Sequence, residues 1–261
     1  MPFKENKGVR FYTFESLSTN GLMHAILTRR GGVSPEPWDS LNVGGSVGDE
    51  RPRVIENRLR TFDALERKPH SMFDVWQVHS ADVVIANAPH NFTPPEFKAD
   101  AMITNNPEVT LFMRFADCTP ILLFDPIKNA IGIVHAGWVG TLKGVVVKAV
   151  EALTAAYGSR PADILAAIGP SIGPDHYEIG QDVINRVRET FNGKANDLLV
   201  NYGDHVHLNL WEANRLSLAQ AGVRQIENSG LCTACHPEDW YSHRAQKGKT
   251  GRFGALIALN K

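Results

Sequence analysis

ADCTPILLFDPIKNAIGIVHAGWVGT, residues 116–141, holds two apolar runs around a cluster of turn formers. The runs are 120–124 and 130–134, and Asp125, Pro126 and Asn129 supply the turn chemistry between them, so the pattern predicts two neighbouring strands. Cys118 stands just before the first strand and His135 just after the second. Antiparallel pairing therefore carries both side chains to the same end of a sheet. Ala136-Gly137-Trp138 then leads into a helical pattern, and a helix start offers unpaired N–H groups and partial positive charge. A thiol, an imidazole and a helix start converge on one spot.

Working outward toward the C-terminus, Leu142, Val146, Ala149, Leu153 and Ala156 mark the buried stripe of a helix ending near Gly158. Residues 164–168 form a strand and 169–174 (GPSIGP) a tight loop. Val183, Ile184, Val187 and Phe191 define a short helix, and Asn209 with Glu212 makes a capping-box-like start for another that runs to Ala221. A late strand covers 223–229. The apolar run that closes 250–259 returns to the sheet.

Toward the N-terminus, 99–104 and 109–115 are strands, preceded by a proline-marked loop or lid over 88–98. Residues 73–79 and 82–86 read as a strand pair in which Gln77 and His79 share one face. A helix begins after Asp49 with Pro52 in its first turn; Ile55, Leu59 and Phe62, joined by Leu65, make its buried row, which leaves Arg58 toward solvent. The Gly-rich stretch 40–49 matches neither a phosphate-binding P-loop nor a dinucleotide fingerprint. Residues 22–28 form a strand, and the Arg29-Arg30-Gly31-Gly32 loop after it reads as a solvated turn before it reads as an anion holder. Hairpins mixed with strand–helix units, with no repeat and no linker, point to a single α+β domain over 1–261 with mixed sheets, not a regular doubly wound fold.

Composition narrows the partners. The 27 Lys and Arg against 28 Asp and Glu give a net charge of -1, so no global field recruits nucleic acid or an anionic membrane. No apolar segment approaches the roughly 20 residues needed to span a bilayer, and the first residues lack the apolar core of a signal peptide, so a soluble cytoplasmic protein is expected. Three cysteines, Cys118, Cys232 and Cys235, cannot all pair within one chain, which fits a reducing compartment with thiol or metal chemistry.

Cys118 and His135 read either as nucleophile and base, as in cysteine hydrolases, or as two metal ligands. His79 extends them to a Cys/His/His set that suits zinc with an open fourth position. Cys232-Thr-Ala-Cys235-His236 spells the pattern of covalent haem attachment, but the surroundings are a late strand and charged loops, not a small helical haem domain. A thioredoxin-like redox pair is equally unsupported there. A second small metal site drawing on Cys232, Cys235, His236 or His243 is the less favoured reading of that segment. His205-Val-His207 suits either a metal or an exposed strand.

Taken together, Ser40-Leu-Asn-Val-Gly, Gln77-Val-His79, Ala99-Asp-Ala-Met-Ile-Thr104, Ala116-Asp-Cys118-Thr-Pro, Val134-His-Ala-Gly-Trp138 and Thr250-Gly-Arg252 resemble the YfiH-type purine nucleoside phosphorylase family, also called the polyphenol oxidase or laccase-domain family. The resemblance runs from about Thr28 to Leu259. It implies two packed mixed sheets flanked by helices, and it matches His79, Cys118 and His135 to the family's zinc and catalytic residues. Phosphorolysis of adenosine, inosine and S-methyl-5'-thioadenosine and deamination of adenosine are the implied activities, with purine nucleosides and phosphate as the small-molecule partners. Asn42 and Arg58 are the implied substrate contacts, ahead of Arg29, Arg244 and Arg252 for phosphate. Copper in the same site would give a weak phenol oxidase, and a metal-dependent binding protein is the non-enzymatic alternative. Ser46 replaces a common histidine, Ser80 a usual glycine, and Ser171 with Asp175-His176 occupies a loop that often carries cysteines. These departures spare the three ligands and argue against an extra metal site at Ser46 or in the 169–180 loop.

Overall fold

Both strands of the opening hairpin are buried along their whole length: Thr119–Asp125 pairs antiparallel with Ala130–Ala136, with Pro120 opposite His135. The connection closes through the Asp125 carboxylate, which accepts the Ile127 and Lys128 N–H groups at 2.8 and 3.0 Å, and through Asn129 in the left-handed region. This is the computed structural model of the chain, and it describes residues 2–18, 21–90 and 95–260.

The hairpin is the centre of a six-stranded sheet ordered Gln225–Asn228, Leu165–Ile168, Thr119–Asp125, Ala130–Ala136, Ala101–Thr104, Val83–Ile85. A second six-stranded sheet runs Phe3–Asn6, Val9–Tyr12, Leu22–Leu27, Phe253–Leu259, Thr110–Phe115, Met72–Phe73. Both mix parallel and antiparallel neighbours. Strand alternation decides what each face meets. Leu122, Phe124, Ile131 and Ile133 point between the sheets, where they join Ile26, Met113, Phe115 and Ile257 of the other sheet. Ile121, Leu123, Ala130 and Val134 point the opposite way, onto Val146, Ala149, Val150 and Leu153 of the helix Val145–Tyr157. Helix Arg51–Ala64 covers the outer face of the second sheet through Phe62 and Ala64. The fold is α+β, with two packed mixed sheets and helices on the outside.

Three expectations fail on packing. The proposed pair 73–79 with 82–86 does not form: Met72–Phe73 joins Thr110 and Leu111 in one sheet, and Val83–Ile85 joins Ala101–Ile103 in the other. The chain between them crosses from sheet to sheet, carrying His79 with it. In helix Arg51–Ala64 the buried face is Val54, Asn57, Thr61, Phe62 and Ala64, whereas Ile55 and Leu59 are 40% and 39% exposed. The reason is Asn57, which donates to Ser34 Oγ, Ser40 O and Asn42 O and accepts from Val33 N–H. That helix turns a polar residue, not an apolar row, toward the loop beneath it. The helix after Trp138 is also broken: Trp138–Leu142 is one turn, and Gly144 at φ 77° separates it from Val145–Tyr157, in which Ala156 is exposed. Part of the predicted 88–98 lid, residues 91–94, lies outside the described residues. No helix among the described residues is long and apolar enough to cross a membrane.

Candidate metal and active site

Two crossings between the sheets bring the site together. The first, between Phe73 and Val83, places His79 at φ 56°; the second, between Phe115 and Thr119, places Asp117 at φ 79° with Cys118 after it. Left-handed backbone is uncommon for non-glycine residues, and here it turns both chains sharply at the site. His135 lies within the strand Ala130–Ala136 on the face shared with Ile131 and Ile133, so its ring points between the sheets, 5.4 Å from the Phe115 ring and 5.0 Å from that of His79. One ligand atom from each of His79, Cys118 and His135 lies within 4.8 Å of the others.

Asp100 orients two of these three residues. One carboxylate oxygen accepts from His135 Nδ1 at 2.8 Å, and the other accepts the N–H groups of Val78 and Ser80 at 3.1 and 2.6 Å, on either side of His79. Burial pushes the Asp100 carboxyl up, but the His135 contact and the two N–H donors outweigh it and hold the group below the ordinary carboxylate range. With Nδ1 committed to Asp100, His135 presents Nε2 to the site, the arrangement that orients metal-bound histidines. Burial keeps His135 itself neutral, against the pull of Asp100.

Cys118 has the opposite problem. Burial, with the Asp117 carboxylate adding to it, pushes its thiol up to about 12, so it is protonated at neutral pH unless a cation replaces the proton. A metal does that. A Cβ on Gly137 would stand 2.8 Å from Cys118 Sγ and 3.2 Å from His79 Nδ1, so this position accommodates only glycine. Donor type, convergence and second-shell support fit a metal ion with an open coordination position.

The three residues line one wall of a cavity of about 670 Å³. Arg58, Arg114, Arg244 and Arg252 line it too, with Trp76, Trp138 and Tyr177. Arg114 is tied to the Asp74 carboxylate. By contrast Arg58 donates to Val43 O, Arg244 to Glu178 O, and Arg252 to Thr250 O and Gly251 O, all backbone carbonyls. These bonds orient the guanidinium groups, and the carboxylates of Asp74 and Asp117 act on Arg58 and Arg252 respectively. Burial, with Arg114 nearby, lowers Arg58 to about 10, still cationic at neutral pH.

The structure redistributes the expected contacts. Arg58, predicted from its helix position to face solvent, lines the cavity. Asn42 is fully buried and does not reach the cavity: its Oδ1 accepts from Gly44 N and Arg252 N, so it shapes two lining segments without touching their contents. Arg29 is remote, paired with Asp39 at 2.8 Å and stacked over Tyr241. Trp138–Leu142 is too short to serve as the anion-binding helix start expected there. Asp100, Arg114 and Tyr177 are the residues that reading missed. A lone arginine inside the apolar strand 109–115 and an acid opening the 99–104 motif were the available signals.

A profile of the family described as multi-copper polyphenol oxidoreductase laccase matches residues 23–260. The chain belongs to this family. Among relatives, a purine nucleoside phosphorylase of Deinococcus radiodurans is 39% identical over 90% of this chain and 88% of its own length. Purine nucleoside phosphorylase YfiH of Escherichia coli is 36% identical over 92% of this chain and 94% of its own. The crystal structure of YlmD from Geobacillus stearothermophilus superposes with a TM-score of 0.92 at 32% identity, covering 100% of this chain and 99% of that one. Family and fold thus agree with the resemblance in the sequence.

Proposed function

We propose that the chain is a cytoplasmic, zinc-dependent purine nucleoside phosphorylase, one catalytic domain over 1–261, that acts on adenosine, inosine and S-methyl-5'-thioadenosine and also deaminates adenosine. One observation carries the reading: the His79, Cys118 and His135 donors share a cavity with three arginines whose guanidinium groups are held by backbone carbonyls. The names of the relatives point the same way.

In phosphorolysis an oxygen of phosphate bonds to the ribose C1′ while the bond to the purine breaks, its electron pair leaving on the base. Catalysis of that exchange is positioning and electrostatics. Arg58, Arg244 and Arg252 bind and orient the phosphate dianion, since guanidinium groups match its geometry. Trp76, Trp138 and Tyr177 offer aromatic faces to the purine. His79, Cys118 and His135 would hold zinc, which supplies Lewis acidity and a water acidified toward a pKa of about 7, the chemistry deamination requires. Asp100 keeps the His135 tautomer and the His79 backbone fixed for that role.

Two alternatives are weaker on the same geometry. A cysteine hydrolase needs a thiolate, and burial pushes the Cys118 thiol up to about 12. A multicopper oxidase needs several coppers with many histidines, and among the described residues only His79, Cys118 and His135 cluster as possible ligands in this cavity. Copper in place of zinc, giving phenol oxidation, remains an outcome that metal-loading can report.

Incubating the zinc-loaded protein with adenosine or inosine, with and without phosphate, tests the reading. Phosphate-dependent ribose 1-phosphate and inosine from adenosine are expected, with both lost in Cys118→Ala and His79→Ala. Arg58→Ala raises the KM for phosphate more than that for nucleoside. Neither product from metal-replete protein overturns the proposal, and nucleoside binding without turnover replaces it with a binding protein.

A further inference from the structure

The loop 169–176 and the segment 231–236 are far apart in sequence but are locked together. Ser171 N–H donates to Leu231 O at 3.2 Å, Thr233 N–H to Ser171 O at 3.0 Å, and Ser171 bridges Cys232 in parallel register. At the end of this seam four side chains of metal-binding type meet. Asp175, His176, Cys232 and Cys235 each bring one ligand atom within 4.8 Å of the other three. None of them belongs to the cavity described above, and both thiols are free.

We propose that Asp175, His176, Cys232 and Cys235 form a second, structural zinc site. The distances suit it. Zinc bonds of about 2.3 Å to sulfur and about 2.0–2.2 Å to nitrogen and oxygen, in tetrahedral array, put neighbouring ligands roughly 3.4–3.8 Å apart. His176 Nδ1 lies 3.5 Å from Cys235 Sγ and 3.8 Å from Cys232 Sγ. Asp175 Oδ2 is closer, 3.1 Å from His176 Nδ1 and 2.9 Å from Cys235 Sγ, whose thiol donates to it. Entry of zinc displaces the thiol protons and moves the carboxylate oxygen out by a few tenths of an ångström.

The supporting backbone is already arranged for a metal-bound sulfur. Gly173 N–H donates to Cys232 Sγ at 3.2 Å, the kind of second-shell bond that stabilises a coordinated thiolate. A Cβ at Gly173 would come within 2.5 Å of Asp175 Oδ1 and 3.1 Å of Cys232 Cβ, so the turn that presents both ligands requires glycine. Two sulfurs, one imidazole and one carboxylate complete a tetrahedral shell, which makes the site closed and structural, in contrast to the three-donor site at Cys118. The 169–180 loop lacks the cysteines expected of an extra site, but Asp175 and His176 supply a different donor pair in their place.

The site also has a purpose in this fold. Thr233 Oγ1 donates to Asp117 Oδ1 at 2.7 Å, and Ile172 N–H donates to Asp117 O at 3.0 Å. Both segments that the zinc would clamp therefore hold Asp117, the residue before Cys118. Tyr177, next after His176, lines the cavity. Zinc here fixes the back of the catalytic pocket from outside it.

The inference stands whether or not the catalytic reading does, because it is tested by metal content. Protein kept reduced, stripped with chelator and re-equilibrated in zinc is to be assayed for bound metal per chain. Wild type is expected to hold two zinc ions and the double variant His79→Ala/Cys118→Ala one. Adding Cys235→Ser or His176→Ala, both at exposed positions, to that double variant is expected to remove the last one. Cobalt(II) loaded into the double variant should show the thiolate-to-metal charge-transfer band of a tetrahedral site, lost in Cys235→Ser. No zinc in the His79→Ala/Cys118→Ala double variant, or retention of one zinc per chain by the variant lacking His79, Cys118 and Cys235, overturns the proposal.

Discussion

Asp100 touches two of the three candidate metal ligands by different routes, a hydrogen bond to the His135 ring and a pair of bonds to the backbone flanking His79. Its carboxylate can only accept, so it selects the His135 tautomer with the proton on Nδ1. An amide at this position has one oxygen and one NH₂ group and cannot satisfy all three donors. Asp100→Asn is therefore expected to weaken metal binding at His79, Cys118 and His135 by about 10–100-fold, the usual cost of losing a second-shell carboxylate. Competition with a chromophoric zinc chelator measures this, in protein whose far-UV and near-UV spectra show an intact fold. Unchanged affinity would mean that the ligands orient themselves. Much of this geometry escapes periodicity, since a positioning acid carries no spacing signature; only its place at the head of an otherwise buried strand, Ala101–Thr104, marks it.

At the scale of elements, the helix Arg51–Ala64 shows where pattern reading works and where it does not. Helix Val145–Tyr157 packs on a sheet with Val146, Ala149 and Leu153, and its apolar spacing located it directly. Helix Leu210–Gln220 was located by its cap: Asn209 Oδ1 accepts from Glu212 N–H at 3.0 Å, although Glu212 pairs with Arg215 and does not complete a capping box. Arg51–Ala64 lies partly on a loop, and its buried centre is Asn57, so an apolar count chose the wrong row. The reassignment has an energetic consequence. Asn57→Ala removes the partner of the buried Asn42 O and of the Val33 N–H, while Ser40 O keeps the Ser34 N–H, and is expected to cost about 2 kcal/mol. Leu59→Ser, on the half-exposed face, is expected to cost less than about 1 kcal/mol. Urea unfolding of both variants distinguishes the two faces; the reverse ranking would restore the apolar row as the packed one.

For the whole molecule, the two sheets meet across one apolar layer, and the chain changes sheets twice at the site, so His79, Cys118 and His135 converge only when the layers are docked. That is why their wide spacing gives no compact metal pattern and why only the ordered motif set singles them out as candidates. Docking also buries a titratable group far from the site. His24, on the strand Leu22–Leu27 opposite Ile257, is 6% exposed; its Nε2 accepts the Phe14 N–H at 2.8 Å, which requires the neutral ring. Burial lowers its pKa from 6.5 to about 4. In the window between those values the unfolded chain takes up a proton that the folded chain refuses. Stability is therefore full above pH 6.5, falls as pH drops through the window, and levels off below about 4, a loss of about 3 kcal/mol from this residue. Metal release would add its own acid dependence, so the measurement belongs in excess chelator. Urea unfolding at pH 7 and pH 4.5 is expected to show wild type losing about 2–3 kcal/mol more than His24→Gln, whose amide oxygen can still accept the Phe14 N–H but does not titrate. Equal losses in the two proteins would place the acid sensitivity elsewhere, in the buried carboxylates Asp74 and Asp100, both held below the ordinary range by their partners, whose contribution likewise fades as they protonate.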